Sequence, residues 1–113
     1  MSDCLFCKII KGEVPSTKVY EDDYVLAFKD IHPVAPVHVL LIPKIHIDNL
    51  NCVTEDNIEY ISKLQIAIKE VAKICGVKDE GYRVICNTGE NGGQVVHHIH
   101  YHLIGGKKLG SKI

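Results

Sequence analysis

Neither sign of charge is in excess. Thirteen Lys and Arg stand against fourteen Asp and Glu, a net charge of -1 over 113 residues. That balance removes the electrostatic case for a nucleic acid or an anionic membrane as partner. No apolar run approaches the roughly 20 residues that span a bilayer. The start, MSDCLFCKIIKGE, lacks a basic segment ahead of a long apolar stretch. No secretion signal is therefore read, and the cytoplasm is the expected location. The five cysteines are an odd count, which argues against a disulfide framework in such a compartment. Repeats, linkers and low-complexity segments are missing too, and the four prolines are scattered.

What remains has the composition of one globular domain, residues 1–113, with 46% apolar and 24% charged side chains. CLFCKIIKGE places Leu5, Ile9 and Ile10 at helical spacing and stops at Gly12, which predicts a short N-terminal helix. Strands are predicted at 18–21 and 24–29, parted by the Asp22-Asp23 turn, and at 38–43, whose unbroken branched apolar run suits a buried strand. Ile58, Ile61, Leu64, Ile68, Val71, Ala72 and Cys75 recur at three- and four-residue steps, a long amphipathic helix capped by Thr54 and stopped by Gly76. Strands at 82–87 and 98–104 complete the set. Five strands that do not alternate with helices predict an α+β fold with an antiparallel sheet. The Gly-rich tail from Gly105 is expected to be loose in an isolated protomer.

Seven residues are histidine, and His97, His98, His100 and His102 fall within six positions. A lone histidine in a strand is ordinarily structural or solvated. Alternation in HIHYHLI instead sends His98, His100 and His102 to one face and Ile99, Tyr101 and Leu103 to the other. Each ring needs partners for two nitrogens, and leaving one unpaired in a core costs ~1–3 kcal/mol. Three together indicate a wet, working site. Either they hold a catalytic metal with an open position, or one neutral imidazole is a nucleophile whose neighbours fix its tautomer and bind an anion. The loop NTGENGGQ just upstream offers glycines that let backbone amides approach a phosphate.

These residues resemble the histidine triad family of nucleotide hydrolases and transferases, whose signature is His-x-His-x-His followed by two apolar positions. The likeness runs from CLFCKIIKGEVPS through AFKDIHPVAPVHVLLIPKIHI to NTGENGGQVVHHIHYHLIGG, and within the family it is most similar to the Hint branch. The resemblance implies an α+β fold and a homodimer whose sheets join. It implies attack on the α-phosphorus of a nucleoside phosphoramidate or related purine mononucleotide conjugate, with no cofactor required for the chemistry. Carried over by position, His100 is the nucleophile and His98 orients it. His102 and His38 meet phosphate oxygens or the leaving group. Gly93 and Gln94 line the phosphate site with Asn87 beside it, Asp30 takes the ribose hydroxyls, and Phe6, Ile9, Phe28, Ile31 and Leu40 wall the base pocket. Dinucleoside polyphosphate hydrolysis, or nucleotide binding with incidental catalysis, are the alternatives.

Three positions depart from the family pattern. Val95 stands where the branch usually has a serine, His32 where a small polar residue is common, and the tail lacks a Trp-Pro-Pro-Gly-type ending. Cys4 and Cys7 form a Cys-x-x-Cys without a βαβ setting. Some relatives hold a structural zinc through such a pair, and the resemblance then implies Cys4, Cys7, His46 and His98 as its ligands. Cys52, Cys75 and Cys86 are read as small buried hydrophobes.

Overall fold

The computed structural model describes residues 3–111. Elements run α1 (Leu5–Ile10), β1 (Lys18–Glu21), β2 (Val25–Lys29), β3 (Val37–Pro43), a 3-10 turn (Leu50–Cys52), α2 (Ile58–Ile74), β4 (Tyr82–Ile85) and β5 (Tyr101–Gly105). The five strands form one sheet in the order β1-β2-β3-β5-β4, and each neighbouring pair is antiparallel. The α+β class expected from the sequence is what the chain adopts.

Register decides what each face of the sheet carries. Leu40 sits opposite His102 and His38 opposite Ile104, so these side chains share a face. Phe28 pairs with Leu40 and Leu26 with Ile42, extending that face across β2. The other face carries Val25, Ala27, Val39, Leu41, Tyr101 and Leu103, and packs on Ile61, Leu64, Ala67, Val71 and Ala72 of α2. The first face is covered only in part: Phe6 and Ile9 of α1 close over Leu26, Phe28, Leu40 and Ile42. What α1 leaves uncovered is where the polar side chains gather.

Against the sequence expectation β2 starts at Val25, β3 starts at Val37 and β4 ends at Ile85, and two further boundaries shift for an identifiable reason. Thr54 does not cap α2. Its N–H donates to Asn57 Oδ1 at 2.8 Å and its hydroxyl accepts from the Asp56 amide, a turn that hands the N-cap to Asn57. The last strand begins at Tyr101, not at residue 98, because the Ile99 amide donates to the Ile47 carbonyl at 2.7 Å and so leaves the sheet ladder. The alternation survives that departure: Ile99, Tyr101 and Leu103 all join the α2 core. The tail is held at one point where looseness was expected, as the Arg83 guanidinium donates to the Gly110 carbonyl. Residues 112–113 of that tail lie outside the described residues.

Candidate active site

Within the His-x-His-x-His run the His100 and His102 rings meet edge to face, and Phe6 bridges His100 to His98. His100 and His102 have centroids 5.0 Å apart, and Phe6 sits 5.1 Å from His100 and 5.8 Å from His98. His102 in turn lies 5.2 Å from His38 on β3. A cavity of about 510 Å³ opens beside them, a size that fits a drug-sized ligand. Its apolar floor is Phe6, Ile9, Phe28 and Leu40; its polar wall is His100, His102, Asp30, Asn87 and the backbone of Gly93. Ile31 and Val95 also line the cavity, and each is 85% exposed.

Hydrogen bonds fix the tautomer of each ring, because a carbonyl or carboxylate can only accept. His100 Nδ1 faces the His98 carbonyl at 2.8 Å, so it carries the proton and Nε2 is left as the basic nitrogen. His98 Nε2 faces the Pro43 carbonyl at 3.0 Å, so its lone pair is on Nδ1. The Val34 amide donates to His38 Nδ1 at 3.1 Å, which puts the His38 proton on Nε2. That nitrogen lies 3.0 Å from His102 Nδ1 and 3.3 Å from Asp30 Oδ2. His102 Nδ1 is then an acceptor, and its own proton sits on Nε2.

Burial favours the neutral form of these rings. Loss of solvent pushes His98 and His102 down to about 4, with the neighbouring imidazoles adding to the effect, and lowers His100 as well. At neutral pH the row is a set of neutral imidazoles with defined donors and acceptors.

His98 belongs to a second constellation. Its Nδ1 lies 3.4 Å from Cys4 Sγ and 3.6 Å from Cys7 Sγ, and Cys7 Sγ lies 3.4 Å from His46 Nδ1. All four ligand atoms fall within 4.8 Å of one another. Tetrahedral zinc, with bonds of about 2.3 Å to sulfur and about 2.0–2.1 Å to nitrogen, separates S and N ligands by about 3.5 Å. The spacing, the donor types and both free Nδ1 lone pairs fit such an ion. His46 Nε2 donates to Asp48 at 2.6 Å, the outer contact that orients a metal-binding imidazole. Burial and the adjacent Cys4 thiol hold Cys7 above the ordinary thiol range, a condition a cation reverses.

Asp30, His38 and His102 also converge within 4.8 Å. They do not offer three lone pairs, because the Val34 amide keeps the His38 proton on Nε2. That group is a hydrogen-bond chain.

The residues singled out from sequence are not all at the cavity surface. His38, 8% exposed, stands behind His102 and is not part of the wall. Gln94 is 7% exposed and spends its amide on the loop: Oε1 accepts from the Gly89 amide, and Nε2 donates to the Asp48 and Val96 carbonyls. The loop itself depends on glycine, since Gly93 has φ +82° and a Cβ on Gly92 would meet the Thr88 carbonyl oxygen at 2.4 Å. Asn87 braces the same turn by donating to the Gly92 carbonyl at 2.7 Å. Asp48, the Pro43 carbonyl and the Val34 amide were not singled out beforehand. Only Asp48 leaves a trace in sequence, as a carboxylate two positions after His46.

A partly covered antiparallel sheet that turns alternate imidazoles toward an apolar cleft defines the histidine triad class. The HIT domain family model matches residues 11–109, and the chain belongs to that family. It is 44% identical to purine nucleoside phosphoramidase of Escherichia coli K12, over 96% of this chain and 91% of that one. Identity is 50% to a 14 kDa zinc-binding protein of Brassica juncea, with coverage of 95% and 96%. Among solved structures, a HIT family hydrolase from Clostridium thermocellum superposes with a TM-score of 0.96 at 50% identity, covering all of this chain and 98% of the other. The protein is a hydrolase of the HIT family. Among the described residues, no helix is long and apolar enough to cross a membrane.

Proposed function

We propose that the protein hydrolyses purine nucleoside phosphoramidates or related mononucleotide conjugates through a nucleotidyl-histidine intermediate. The observation that carries the reading is the His100 Nδ1–H bond to the His98 carbonyl at 2.8 Å. It leaves a neutral imidazole with its Nε2 lone pair available in a water-poor cleft, the form a nucleophile needs.

In this reading Phe6, Ile9, Phe28, Leu40 and Ile31 receive the base and Asp30 the ribose hydroxyls. The loop carrying Asn87, Gly93 and Gln94 meets the phosphate. His100 Nε2 attacks the α-phosphorus as the P–N bond of the substrate breaks, and the departing nitrogen takes a proton from solvent, so the amine leaves neutral. The His102 Nε2–H donates to a phosphate oxygen or to the departing nitrogen, stabilising charge where it develops. Water then attacks the same phosphorus, the P–Nε2 bond breaks, and a proton passes to solvent as the nucleotide monophosphate leaves.

The Cys4, Cys7, His46 and His98 set would hold zinc, a reading supported by the likeness to the zinc-binding protein of Brassica juncea. Four protein ligands fill a tetrahedral ion and leave no open position, which gives the metal a structural part. A homodimer is supported by two unpartnered surfaces. Among the described residues β4 is an outer strand of the sheet with Val84 exposed, and α2 exposes Ile58, Ile66 and Ile74. Joining two β4 edges would cover an otherwise aggregation-prone strand. The cytoplasm is the proposed location.

Rapid quench with radiolabelled adenosine phosphoramidate tests the chemistry. Label is expected on the protein within the first turnover, and none on His100→Ala. Product formed with no protein-bound label in any time window would refute the covalent route. Tight mononucleotide binding without turnover would favour a binding module, a reading to which the missing hydroxyl at Val95 lends some support.

A further inference from the structure

His38 is buried, lies outside the cavity wall, and yet touches two residues that form it. Its Nδ1 is occupied by the Val34 amide at 3.1 Å. A second proton on that ring would have to sit on Nδ1, facing a backbone N–H that points at the same nitrogen. The Val34 amide thus leaves His38 a single N–H to donate, at Nε2. Such a ring is a poor direct ligand for an anion, and it is one that hands a single N–H to whichever acceptor is stronger.

Two acceptors lie near that N–H: His102 Nδ1, which takes the hydrogen bond at 3.0 Å, and Asp30 Oδ2, in ionic proximity at 3.3 Å. The other Asp30 oxygen is already engaged by the His32 amide at 2.8 Å. Oδ2 is the less occupied oxygen, so of the two sugar hydroxyls that can donate to Asp30 at least one is well placed to do so there, on the side that faces His38. Each donation to Oδ2 weakens its hold on the His38 proton, and the N–H goes over to His102 Nδ1. That in turn fixes the His102 proton on Nε2.

We propose that His38 is a positioning residue that couples ribose recognition at Asp30 to the tautomer of His102. It does not itself bind the phosphate. The proposal rests on the nucleotide-hydrolase reading of the cleft, and it assigns His38 a part in that reaction that position in the sequence does not reveal. Its consequence is that the sugar hydroxyls act on the leaving-group step as well as on binding. A substrate without them still fills the base pocket, but it leaves Asp30 Oδ2 free to draw on the His38 N–H and loosen its bond to His102.

The test begins with nitrogen-15 NMR of the histidine rings, which reads tautomers whether or not the protein turns anything over. In the unliganded protein, His38 is expected as the Nε2–H tautomer and His102 as mainly Nε2–H with a minor Nδ1–H share. Adding AMP should sharpen His102 toward a single tautomer, and adding 2',3'-dideoxy-AMP should do so much less. His38→Leu should leave His102 a mixture of tautomers, and His38→Gln, whose amide still donates at that point, should restore it. His38 found protonated on Nδ1 in the wild type would overturn the proposal outright, and this holds even where His38→Leu fails to fold. An identical His102 signal in wild type and a folded His38→Leu would do the same.

Kinetics supply the second arm. Loss of the hydroxyls is expected to lower kcat about tenfold or more for basic amine leaving groups, against little change for good leaving groups, as removal of a proton-delivering contact does. His38→Leu should abolish that difference between ribo- and dideoxy-substrates, since coupled groups are non-additive. A sugar effect confined to KM in both proteins would overturn the coupling. Turnover absent in wild type, with the NMR shifts as described, would count against the hydrolase reading and leave the His38 assignment standing.

Discussion

The carbonyl of His98 accepts the Nδ1–H of His100 at 2.8 Å, while the ring of His98 points the other way, 3.4 Å from Cys4 Sγ. One residue thereby joins the thiol pair to the basic imidazole: its side chain faces one constellation and its main chain the other. Zinc bound at Cys4, Cys7, His46 and His98 would pin residue 98 from the ring side. Purified protein is expected to carry about one zinc per chain by elemental analysis, as a filled four-ligand set requires. A chelator should lower the melting temperature, since a ligand of the folded state stabilises by mass action. Cys4→Ser combined with Cys7→Ser should abolish metal retention. Retention undiminished in that double variant would place the metal elsewhere.

The acid limb of the rate follows from the lowered pKa of His100. Burial favours its neutral form, so the nucleophile stays deprotonated to pH values below the ordinary 6.5 of an imidazole. The pH profile of kcat/KM should be level from pH 8 down to about 6.5 and fall only at lower pH. An apparent pKa at or above 7 would show that another group, or an opposite shift, controls the reaction.

Stability of the metal-free protein should depend on pH in the same direction. His98 and His102 are held down to about 4 by burial, whereas in the unfolded chain they titrate near 6.5. Between those values the unfolded state binds more protons, so the full stability is present above about 6.5 and drains as pH falls. Each ring removes about 1.4 kcal/mol per pH unit across that window. Denaturant midpoints measured from pH 7 to 4.5 should fall steadily, and His102→Phe should shallow the slope. A flat profile would contradict neutral, desolvated rings.

Phe6 has two tasks that one substitution separates. It is 4% exposed, meets Phe28 edge-on at 5.6 Å, and touches His98 and His100. Phe6→Ala should cost about 3–5 kcal/mol as a core cavity. Phe6→Leu keeps most of the volume and should cost about 1.5 kcal/mol or less, while raising KM for the nucleotide because the aromatic edge is gone. Equal KM in Phe6→Leu and wild type would remove Phe6 from the base pocket.

Much of this was legible in the chain because periodicity is a strong signal. Residues 98–104 alternate, and the structure keeps Ile99, Tyr101 and Leu103 in one core although the strand proper begins at Tyr101. The three- and four-residue steps of α2 likewise survive at Ile61, Leu64, Val71 and Ala72 against the sheet, with Ala67 joining them, Ile68 and Cys75 half-buried at the edge, and Ile58 left exposed. What escaped notice was set by single hydrogen bonds between distant or main-chain groups. Asn57 captured the Thr54 amide and with it the start of α2. The Ile47 carbonyl drew Ile99 out of the ladder, and a backbone amide at Val34 decides the proton on His38. No residue type announces such contacts. Gln94 illustrates the point: its identity suggests a ligand contact, yet its amide is bound to Gly89, Asp48 and Val96.

Val95 gives the sharpest test of leaving-group chemistry. It is 85% exposed at the cavity rim, between the glycine turn and the imidazole row, at the position where the Hint branch usually has a serine. Exposure means that Val95→Ser removes almost no buried surface, so stability should change by no more than about 0.5 kcal/mol. The added hydroxyl can donate to a phosphate oxygen or pass a proton to the departing nitrogen. Its benefit should therefore grow with the basicity of the amine: several-fold in kcat for alkylamines, and close to none for weakly basic aromatic amines. A uniform gain across both series would mean the hydroxyl aids binding of the phosphate alone. A loss for alkylamines would mean the valine methyls serve the native substrate, whose leaving group would then be apolar.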